Sequence, residues 1–264
     1  MSEVSFYKYQ GAGNDFIMID NRQMLLPRHA PKRYRQWCDR KFGIGADGII
    51  FIQQAAGYDF EMVYYNADGS EGSMCGNGGR CAVRFAVQLG LIADKAHFLA
   101  VDGPHEASLL PNNWVSLGMI DVDDIQTQPD GYFVNTGSPH HVGLVADLDN
   151  YEVEVIGKDI RWQERYQPGG TNVNFMQLES ADSLSVRTFE RGVEAETLAC
   201  GTGVTACALV WAREHGKTGK QQIKVATLGG MLAVKFEVTP LGFRHIFLEG
   251  PAEMVFSGQI KDNF

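Results

Sequence analysis

The segment Met74–Cys81, MCGNGGRC, has a counterpart in Ala199–Cys207, ACGTGVTAC, and this repeated pattern is the main indication of the fold. In both, a cysteine is followed by Gly-x-Gly and then by an apolar helical pattern. Cys75 and Cys200 are therefore each expected just before a helix, where glycine lets the backbone turn sharply. Two like thiols suit the inversion of a carbon centre, in which a base removes a proton from one face and an acid returns one to the other.

The elements around the two cysteine loops also repeat. Helices predicted from about Gly78 to Leu89 and from about Val204 to Glu214 are apolar around most of their circumference. Such helices are typically wrapped by a sheet. A further helix is predicted from Pro31 to Arg40, and short strands fill most of the rest. The segment Gly170–Met176 echoes Gly11–Ile17, which we interpret as the second copy of one strand entry.

These repeats predict an α+β fold of two similar, pseudo-symmetric domains, each a mostly antiparallel sheet around a central helix. The acidic stretch Asp121–Asp124 is the predicted boundary. Residues 1–121 then form a half that carries Cys75, and residues 122–258 form a half that carries Cys200. A tail of residues 259–264 is expected to return to the first half.

Composition excludes several classes of protein. The chain has 264 residues, 44% of them hydrophobic, and a net charge of -9, which disfavours a nucleic-acid surface. No apolar run approaches the roughly 20 residues that span a bilayer, and the first residues lack a secretory signal pattern. Five cysteines, an odd number, favour reduced thiols over a disulfide framework. A cytoplasmic protein with no membrane partner is therefore expected.

Each cysteine loop could supply both a reactive thiol and a binding site for a small anionic ligand. A thiol pKa of about 8.5 falls at a helix N-terminus, where unpaired N–H groups and the helix dipole favour negative charge. The same N–H groups can bind a carboxylate. An isolated cysteine is more often a small buried hydrophobe, and we interpret Cys38, Cys81 and Cys207 in that way. The loop context, present twice, favours a functional role for Cys75 and Cys200.

Two other interpretations of the loops are weaker. Cys75 and Cys81 enclose five residues, and Cys200 and Cys207 enclose six, whereas structural zinc pairs usually enclose about two to four. Neither loop has the Gly-Lys-Ser/Thr ending of a phosphate-binding loop or the dinucleotide fingerprint. No metal site is predicted.

Candidate partners for the thiols are charged or polar residues in turns. His140 lies in a turn before an apolar strand, where it could take a thiol proton. Glu190 and Glu196 precede Cys200 by ten and four residues, and a carboxylate can accept a thiol proton or keep the thiol protonated. Arg191 could bind a substrate carboxylate with its forked guanidinium. Asparagines at glycine-rich turns would also suit a zwitterionic ligand: Asn14, Asn66, Asn77 and Asn172.

Nearly end to end, the chain resembles the diaminopimelate epimerase family. The motifs that carry the resemblance occur in this order: Gly11–Phe16, Gly43–Asp47, Asn66–Glu71, Cys75–Arg80, Asn172–Phe175, Glu190–Gly192 and Glu196–Gly203.

The resemblance implies an active site between two similar domains. It also implies interconversion of LL- and meso-2,6-diaminopimelate without pyridoxal phosphate or metal, in lysine and peptidoglycan precursor synthesis. The thiol pair maps onto Cys75 and Cys200, and the groups that tune it map onto His140, Glu190 and Glu196. The helix-end contacts to the reacting amino acid map onto Gly76, Asn77, Gly201 and Thr202. The contacts to the distal amino acid map onto Asn14, Asn66, Asn172, Glu190 and Arg191.

Two residues depart from the family pattern, and two other functions stay open. Gly48 stands where many members carry Gln, and Ser138 stands where many carry Asn. A proline-racemase-like or hydroxyproline-epimerase-like enzyme would share the two-thiol logic. A non-catalytic amino-acid-binding module would use the cysteines only for packing. A homodimer is also left open.

Overall fold

The structure is a computed structural model that describes residues 2–72 and 74–262. Its described residues form two compact units, one drawn from Met1–Leu117 with Gly250–Phe264 and the other from Gly118–Glu249. The division after residue 117, not 121, places the acidic stretch inside the second unit. The segment that returns to the first unit starts at residue 250, not 259, and residues 263 and 264 lie outside the described part.

Strands make up most of both units. In chain order they are β1 (Ser2–Gly11), β2 (Asn14–Asp20), β3 (Gly48–Gln53), β4 (Phe60–Asn66), β5 (Lys95–Ala100), β6 (Gly103–Leu109), β7 (Val115–Gly118), β8 (Gln126–Gln128), β9 (Gly131–Asn135), β10 (Pro139–Leu144), β11 (Asn172–Ser180), β12 (Ser183–Glu190), β13 (Ala195–Thr197), β14 (Gly219–Thr227), β15 (Gly230–Thr239), β16 (Gly242–Gly250) and β17 (Glu253–Asp262). The helices are α1 (Pro31–Cys38), α2 (Gly76–Gln88), α3 (Val153–Arg161) and α4 (Gly201–Glu214), with a 3-10 turn at Glu164–Tyr166.

The first unit is a mostly antiparallel sheet with the order β17-β1-β2-β3-β4-β5-β6-β7. Among the described strand pairs of this unit, β2–β3 and β4–β5 are parallel and the others are antiparallel. Parallel neighbours need a crossover connection, and these two crossovers contain α1 and α2 respectively.

The second unit repeats this arrangement strand for strand. Its order is β8-β9-β10-β11-β12-β14-β15-β16, with the short β13 paired to the side of β12. The parallel pairs, β10–β11 and β12–β14, fall at the same places in the order, and their crossovers contain α3 and α4. The predicted α+β fold of two similar, mostly antiparallel halves is therefore confirmed.

Each sheet surrounds one helix. Helix α2 contacts β1, β2, β3, β4 and β6, and α4 contacts β9, β10, β11, β12, β14 and β15. From the second turn onward the apolar side chains of both helices are buried, except for the half-buried Val87. Burial at roughly 25 cal/mol per Å² of apolar surface means that these helices contribute to the hydrophobic stabilisation of each unit.

A second core lies where α1 or α3 packs on its own sheet. In the first unit Tyr34 and Trp37 of α1 pack with Phe51 and Tyr65, and the Tyr34 and Tyr65 ring centroids are 4.5 Å apart. In the second unit the matching cluster joins α3 to β11 and β12, and its members include Val153, Ile160, Phe175 and Phe189. Among the described residues, no helix is long and apolar enough to cross a membrane.

Three local expectations from the sequence need correction. The two central helices begin directly after the cysteines, at Gly76 and Gly201, and so earlier than predicted. Helix α3 was not predicted, although Val153, Gly157 and Ile160 form its buried side. The predicted echo of Gly11–Ile17 in Gly170–Met176 is wrong, because the pairing order makes β10, and not β11, the counterpart of β2. Glycine- and asparagine-rich turns precede many strands, so they do not identify which strand follows.

Candidate active site

Cys75 and Cys200 are the N-caps of the two central helices. Their backbone angles are nearly the same, with φ -112° and ψ 121° at Cys75 and φ -115° and ψ 111° at Cys200. Each cysteine carbonyl accepts the first helical hydrogen bond, from Gly79 at 2.7 Å and from Val204 at 2.8 Å. The N–H groups that follow, beginning at Gly76 and Gly201, are among those with no intrahelical acceptor. Each helix thus presents a thiol beside N–H donors that suit an anion.

A chain of hydrogen bonds orients the asparagines of the first unit. Asn77, which is 2% exposed, donates to Asn14 Oδ1 at 2.6 Å. Asn14 in turn donates to Asp47 Oδ2 at 3.0 Å. Asp47 also forms an ion pair with Arg40 at 2.7 Å. Two of the asparagines predicted for substrate contact therefore lie side by side, each with its amide orientation fixed.

Arg40 and Lys8 also hold Asp15, the residue beside Asn14. Lys8 lies 2.8 Å from Asp15 and also donates to the Gly45 carbonyl. Burial raises the pKa of Asp15, but hydrogen bonds from Arg40 and Lys8 outweigh it and lower the pKa to about 2. Asp15 is therefore ionised at neutral pH, and its ion pairs with Lys8 and Arg40 brace the turn that carries Asn14.

Asn66 and Gly48 lie at the ends of the paired strands β3 and β4. Asn66 donates to Ser70 Oγ at 3.2 Å within its own turn and pairs with Gly48 across the ladder. A Cβ placed on Gly48 would lie 2.4 Å from Cε2 of Tyr64 and 2.5 Å from the Tyr65 carbonyl oxygen. Gly48, where many family members carry Gln, thus fits the local packing, since Tyr64 occupies the space that a longer side chain would need.

Cys200 is nearly enclosed, with 9% of its surface exposed. Its Sγ lies 3.5 Å from Thr202 Oγ1, so either group can be the donor. The Thr202 carbonyl accepts a hydrogen bond from Thr136 at 2.9 Å. The turn before β10 is therefore tied to the first turn of α4, and it places Thr202 next to the thiol.

His140 is fully buried, and its hydrogen bonds define its tautomer. The Asn174 amide is oriented by two bonds, since Oδ1 accepts from Thr188 at 2.9 Å and Nδ2 donates to the His141 carbonyl at 2.9 Å. The same Nδ2 lies 3.0 Å from His140 Nδ1, so Nδ1 is the acceptor and the proton resides on Nε2. Among the described residues, Nε2 of His140 has no hydrogen-bond partner.

His140 is neutral as well as buried. Burial, assisted by the positive charge of Arg191, lowers its pKa to about 3. From the sequence, His140 could take a thiol proton and form a thiolate–imidazolium pair. The low pKa instead favours a neutral imidazole with a donor Nε2–H. The role of His140 towards a thiol stays a prediction.

Asn172, Glu190 and Arg191 meet at one end of β11 and β12. Asn172 Oδ1 accepts from the Arg191 backbone N–H at 2.9 Å, and its Nδ2 donates to the Pro139 carbonyl at 3.0 Å. Glu190 Oε2 accepts from Thr197 Oγ1 at 2.9 Å. Asn172 thus fixes the turn that carries Glu190 and Arg191, and it ties this turn to the start of the strand that carries His140.

Glu196 is engaged in an ion pair. Both of its carboxylate oxygens accept from Arg187, at 2.6 and 2.8 Å. Arg187 also donates to the carbonyls of Leu148 and Tyr151. The carboxylate therefore anchors β13, the strand just before Cys200, and its predicted tuning of the thiol stays a prediction.

The other cysteines are packed in the interior. Burial raises the pKa of Cys38 and of Cys81 to about 12, and it also raises the pKa of Cys207. These thiols are protonated at any physiological pH, which fits the packing role expected for them. In the described part of the chain, no group of three or more His, Cys, Asp or Glu side chains is arranged to hold a metal ion.

The structure brings the predicted residues into two groups, one in each unit. Asn14, Asn77 and Cys75 lie around the start of α2, while His140, Asn172, Glu190, Arg191 and Thr202 lie around the start of α4. Sequence reasoning assigned no role to Asp47, Arg80 or Asn174. All three occur in recognised motifs, but their importance depends on partners from other parts of the chain, which no local pattern reveals.

Comparisons with known proteins agree with this geometry. The sequence profile of the family described as diaminopimelate epimerase matches residues 6–116 and 132–255. A diaminopimelate epimerase of Flavobacterium psychrophilum is 47% identical over 97% of this chain and 100% of its own. One from Chlorobaculum tepidum is 44% identical over 95% of this chain and 98% of its own.

Solved structures of low sequence identity share the fold. A PhzF-family phenazine biosynthesis protein of Bacillus anthracis aligns with a TM-score of 0.80 at 14% identity, covering 99% of this chain and 100% of its own. A hydroxyproline epimerase of Agrobacterium vitis aligns with a TM-score of 0.68 at 12% identity, covering 98% and 91%. At these identities the likeness establishes the architecture alone.

Proposed function

The chain belongs to the diaminopimelate epimerase family, and from that premise we propose that it interconverts LL- and meso-2,6-diaminopimelate. One observation carries the proposal, namely that Cys75 and Cys200 cap the two central helices with the same backbone geometry. An isomerase of this kind would serve lysine and peptidoglycan precursor synthesis in the cytoplasm. We propose that it needs no cofactor, because two thiols and the helix ends supply the acid, the base and the charge stabilisation.

The proposed reaction is a proton exchange at one α-carbon. One thiolate takes the α-proton, and the other thiol protonates the opposite face of the carbanion; the reverse reaction swaps these roles. The carbanion places charge on the α-carboxylate. N–H groups at helix N-termini, beginning at Gly76 and Gly201, stabilise such charge without reorganisation. The active form holds one thiolate and one thiol, because the reaction needs a base and an acid in each turnover.

Each remaining site residue has a proposed part. Asn77 and Thr202, in the first helical turns, bind the reacting amino acid. The distal amino acid is bound by a polar set: Asn14, Asn66, Asn172, Glu190 and Arg191. His140 tunes the thiol pair as a hydrogen-bond donor through its Nε2–H. Glu190 exchanges a proton with the Cys200 thiol. Glu196 positions Cys200 through its ion pair with Arg187.

The decisive assay is incubation of the purified chain with LL-diaminopimelate in deuterated water. The proposal expects meso product to appear together with α-deuterium. Parallel incubations with proline and trans-4-hydroxyproline test the racemase-like alternative, and turnover of these alone would replace the proposed substrate. A binding module would incorporate no deuterium into any of the three. Sedimentation of the same preparation decides whether the chain is a homodimer.

Replacement of Cys75 by Ala should lower kcat by about 10³-fold or more, because general acid–base groups typically contribute about 10²- to 10⁴-fold. Cys38→Ala is the matched control, since Cys38 is a packed cysteine of the same unit. It should retain activity while losing some stability. Near-normal turnover by the Cys75→Ala variant would rule out the two-thiol mechanism.

A further inference from the structure

Arg80 is a buried cation just behind the first turn of α2. It is 0% exposed, and among the described residues no carboxylate pairs with it. Burial lowers its pKa, while the Cys81 and Cys75 sulfurs, when ionised, act to raise it. An arginine remains charged in proteins, and burying a charge without a counter-charge destabilises the fold. The fold therefore maintains a positive charge at this place against a penalty.

The guanidinium is held in one orientation by oxygen atoms around it. Nη2 donates to Asn77 Oδ1 at 3.0 Å, Nε to the Pro251 carbonyl at 3.3 Å, and Nη1 to the Gly76 carbonyl at 3.5 Å. Because Asn77 Nδ2 donates to Asn14, Arg80 fixes which end of the Asn77 amide faces which partner. The chain Arg80–Asn77–Asn14–Asp47 is thus continuous from the buried helix turn to the ion pair with Arg40.

We propose that Arg80 is a positioning residue of the epimerase site, whose fixed positive charge favours the thiolate of Cys75 and whose hydrogen bond orients Asn77. This inference rests on the proposed function in one respect, which is that Cys75 must exist as a thiolate in the working enzyme.

Of the two thiols that act on Arg80, Cys75 is the one whose ionised form this charge would stabilise. Cys81, on the same helix, also acts on Arg80, and Tyr9, on β1, lies near Cys81 together with Tyr7 and Arg84. Burial raises the pKa of Cys81 and of Tyr9 to about 12. Both are neutral at physiological pH. The carbonyls of Gly76 and Pro251 and the amide of Asn77 carry no charge. Coulombic attraction inside a protein is several times stronger than in water. Removal of the Arg80 charge should therefore raise the pH at which the Cys75 thiol ionises.

The test compares two variants that separate charge from hydrogen bonding. Arg80→Gln can still donate to Asn77 but has no charge, and Arg80→Lys keeps the charge but loses the fork. The readout is the pH dependence of Cys75 alkylation by iodoacetamide: the folded protein is alkylated, then digested, and the Cys75 peptide is quantified by mass spectrometry. In Arg80→Gln the midpoint should move up by about one pH unit, so the rate at pH 7 should fall about tenfold. In Arg80→Lys the rate should stay within about threefold of the wild type, while KM for diaminopimelate rises because Asn77 is no longer oriented.

Arg84→Gln is the matched control, because Arg84 lies one turn further along α2 and is only half-buried. It removes the same formal charge and should leave the Cys75 profile in place. A folded Arg80→Gln protein with the wild-type profile would overturn the inference. If that variant does not fold, Arg80→Lys decides, because a full-unit displacement in Arg80→Lys would show that the charge alone does not support the thiolate.

Alkylation requires neither substrate nor turnover, so this inference and the proposed function can fail separately. A chain that is inactive on diaminopimelate but has a Cys75 profile governed by Arg80 would refute only the proposed reaction. An active epimerase with an unchanged profile in Arg80→Gln would refute only the role of Arg80.

Discussion

Asn174 determines the chemical form of His140. Its amide contacts Thr188, the His141 carbonyl and His140 Nδ1 at once, so rotation of the amide would place oxygen against oxygen. The neutral Nε2–H tautomer thus follows from the neighbouring strand β11, and His140 itself lies in β10 and not in the turn expected from the sequence. His140 appeared in the sequence as a candidate base, whereas this setting makes it a donor.

The Asn174→Asp substitution should move the favoured proton of His140 from Nε2 to Nδ1. A carboxylate beside Nδ1 favours a proton there, so the pKa of His140 should rise from about 3. The imidazole proton resonances, followed by NMR against pH, measure this directly, and kcat should fall by at least about tenfold. Thr188→Val is the control, because it removes one bond to Asn174 but leaves the amide next to His140. An unchanged His140 titration in Asn174→Asp would contradict the assigned tautomer.

At the scale of elements, the two central helices differ at one matched position. Gly78 and Gly203 each lie three residues after the cysteine cap. A Cβ on Gly203 would lie 2.2 Å from Asn174 Oδ1, whereas one on Gly78 would lie 2.9 Å from the tip of Ile50 and 3.3 Å from that of Met62. The flexible tips can move, but the Asn174 amide is held by three hydrogen bonds.

Gly203→Ala should therefore destabilise the protein more than Gly78→Ala. Alanine favours a helix by about 1 kcal/mol over glycine at either site, which partly offsets the clash. We expect the free energy of unfolding of Gly203→Ala to lie about 2 kcal/mol below that of Gly78→Ala. Urea unfolding of both variants measures the difference. Equal stabilities would mean that Asn174 can move freely.

The elements also show what a sequence can and cannot predict. Cysteine followed by Gly-x-Gly located both central helices to within a turn, because cap and apolar periodicity are local signals. The same kind of local signal misassigned Gly170–Met176, because glycine and asparagine mark a turn without specifying the strand pairing that follows. Asp47, Arg80 and Asn174 went unassigned because each acts through partners that lie far away in the sequence.

For the whole molecule, the two neighbouring buried histidines of the second unit set its response to acid. His140 and His141 are both 0% exposed. Burial lowers the pKa of His140 to about 3 and that of His141 to about 4, from an ordinary value of 6.5. Between pH 6.5 and 4 the unfolded chain binds more protons than the folded one, so the free energy of unfolding falls as pH falls.

The expected slope in that window is about 1.4 kcal/mol per pH unit for each histidine. Urea unfolding at a series of pH values measures it. His141→Gln should remove about half of the slope, while Tyr166→Phe, which deletes the hydroxyl 2.8 Å from His141 Nδ1, should lower stability but keep the slope. A flat profile between pH 6.5 and 4 in the wild type would mean that these histidines are already protonated in the folded state.

The pairing of β17 with β1 has a consequence for protein synthesis. Ser2–Gly11 leaves the ribosome before the entire second unit, whereas its partner Glu253–Asp262 follows that unit in the chain. The first unit cannot complete its sheet before β17 is synthesised. Until that point the N–H and C=O groups on one edge of β1 are unpaired. Translation thus favours completion of the second unit first, which reverses the usual N-to-C order of domain folding.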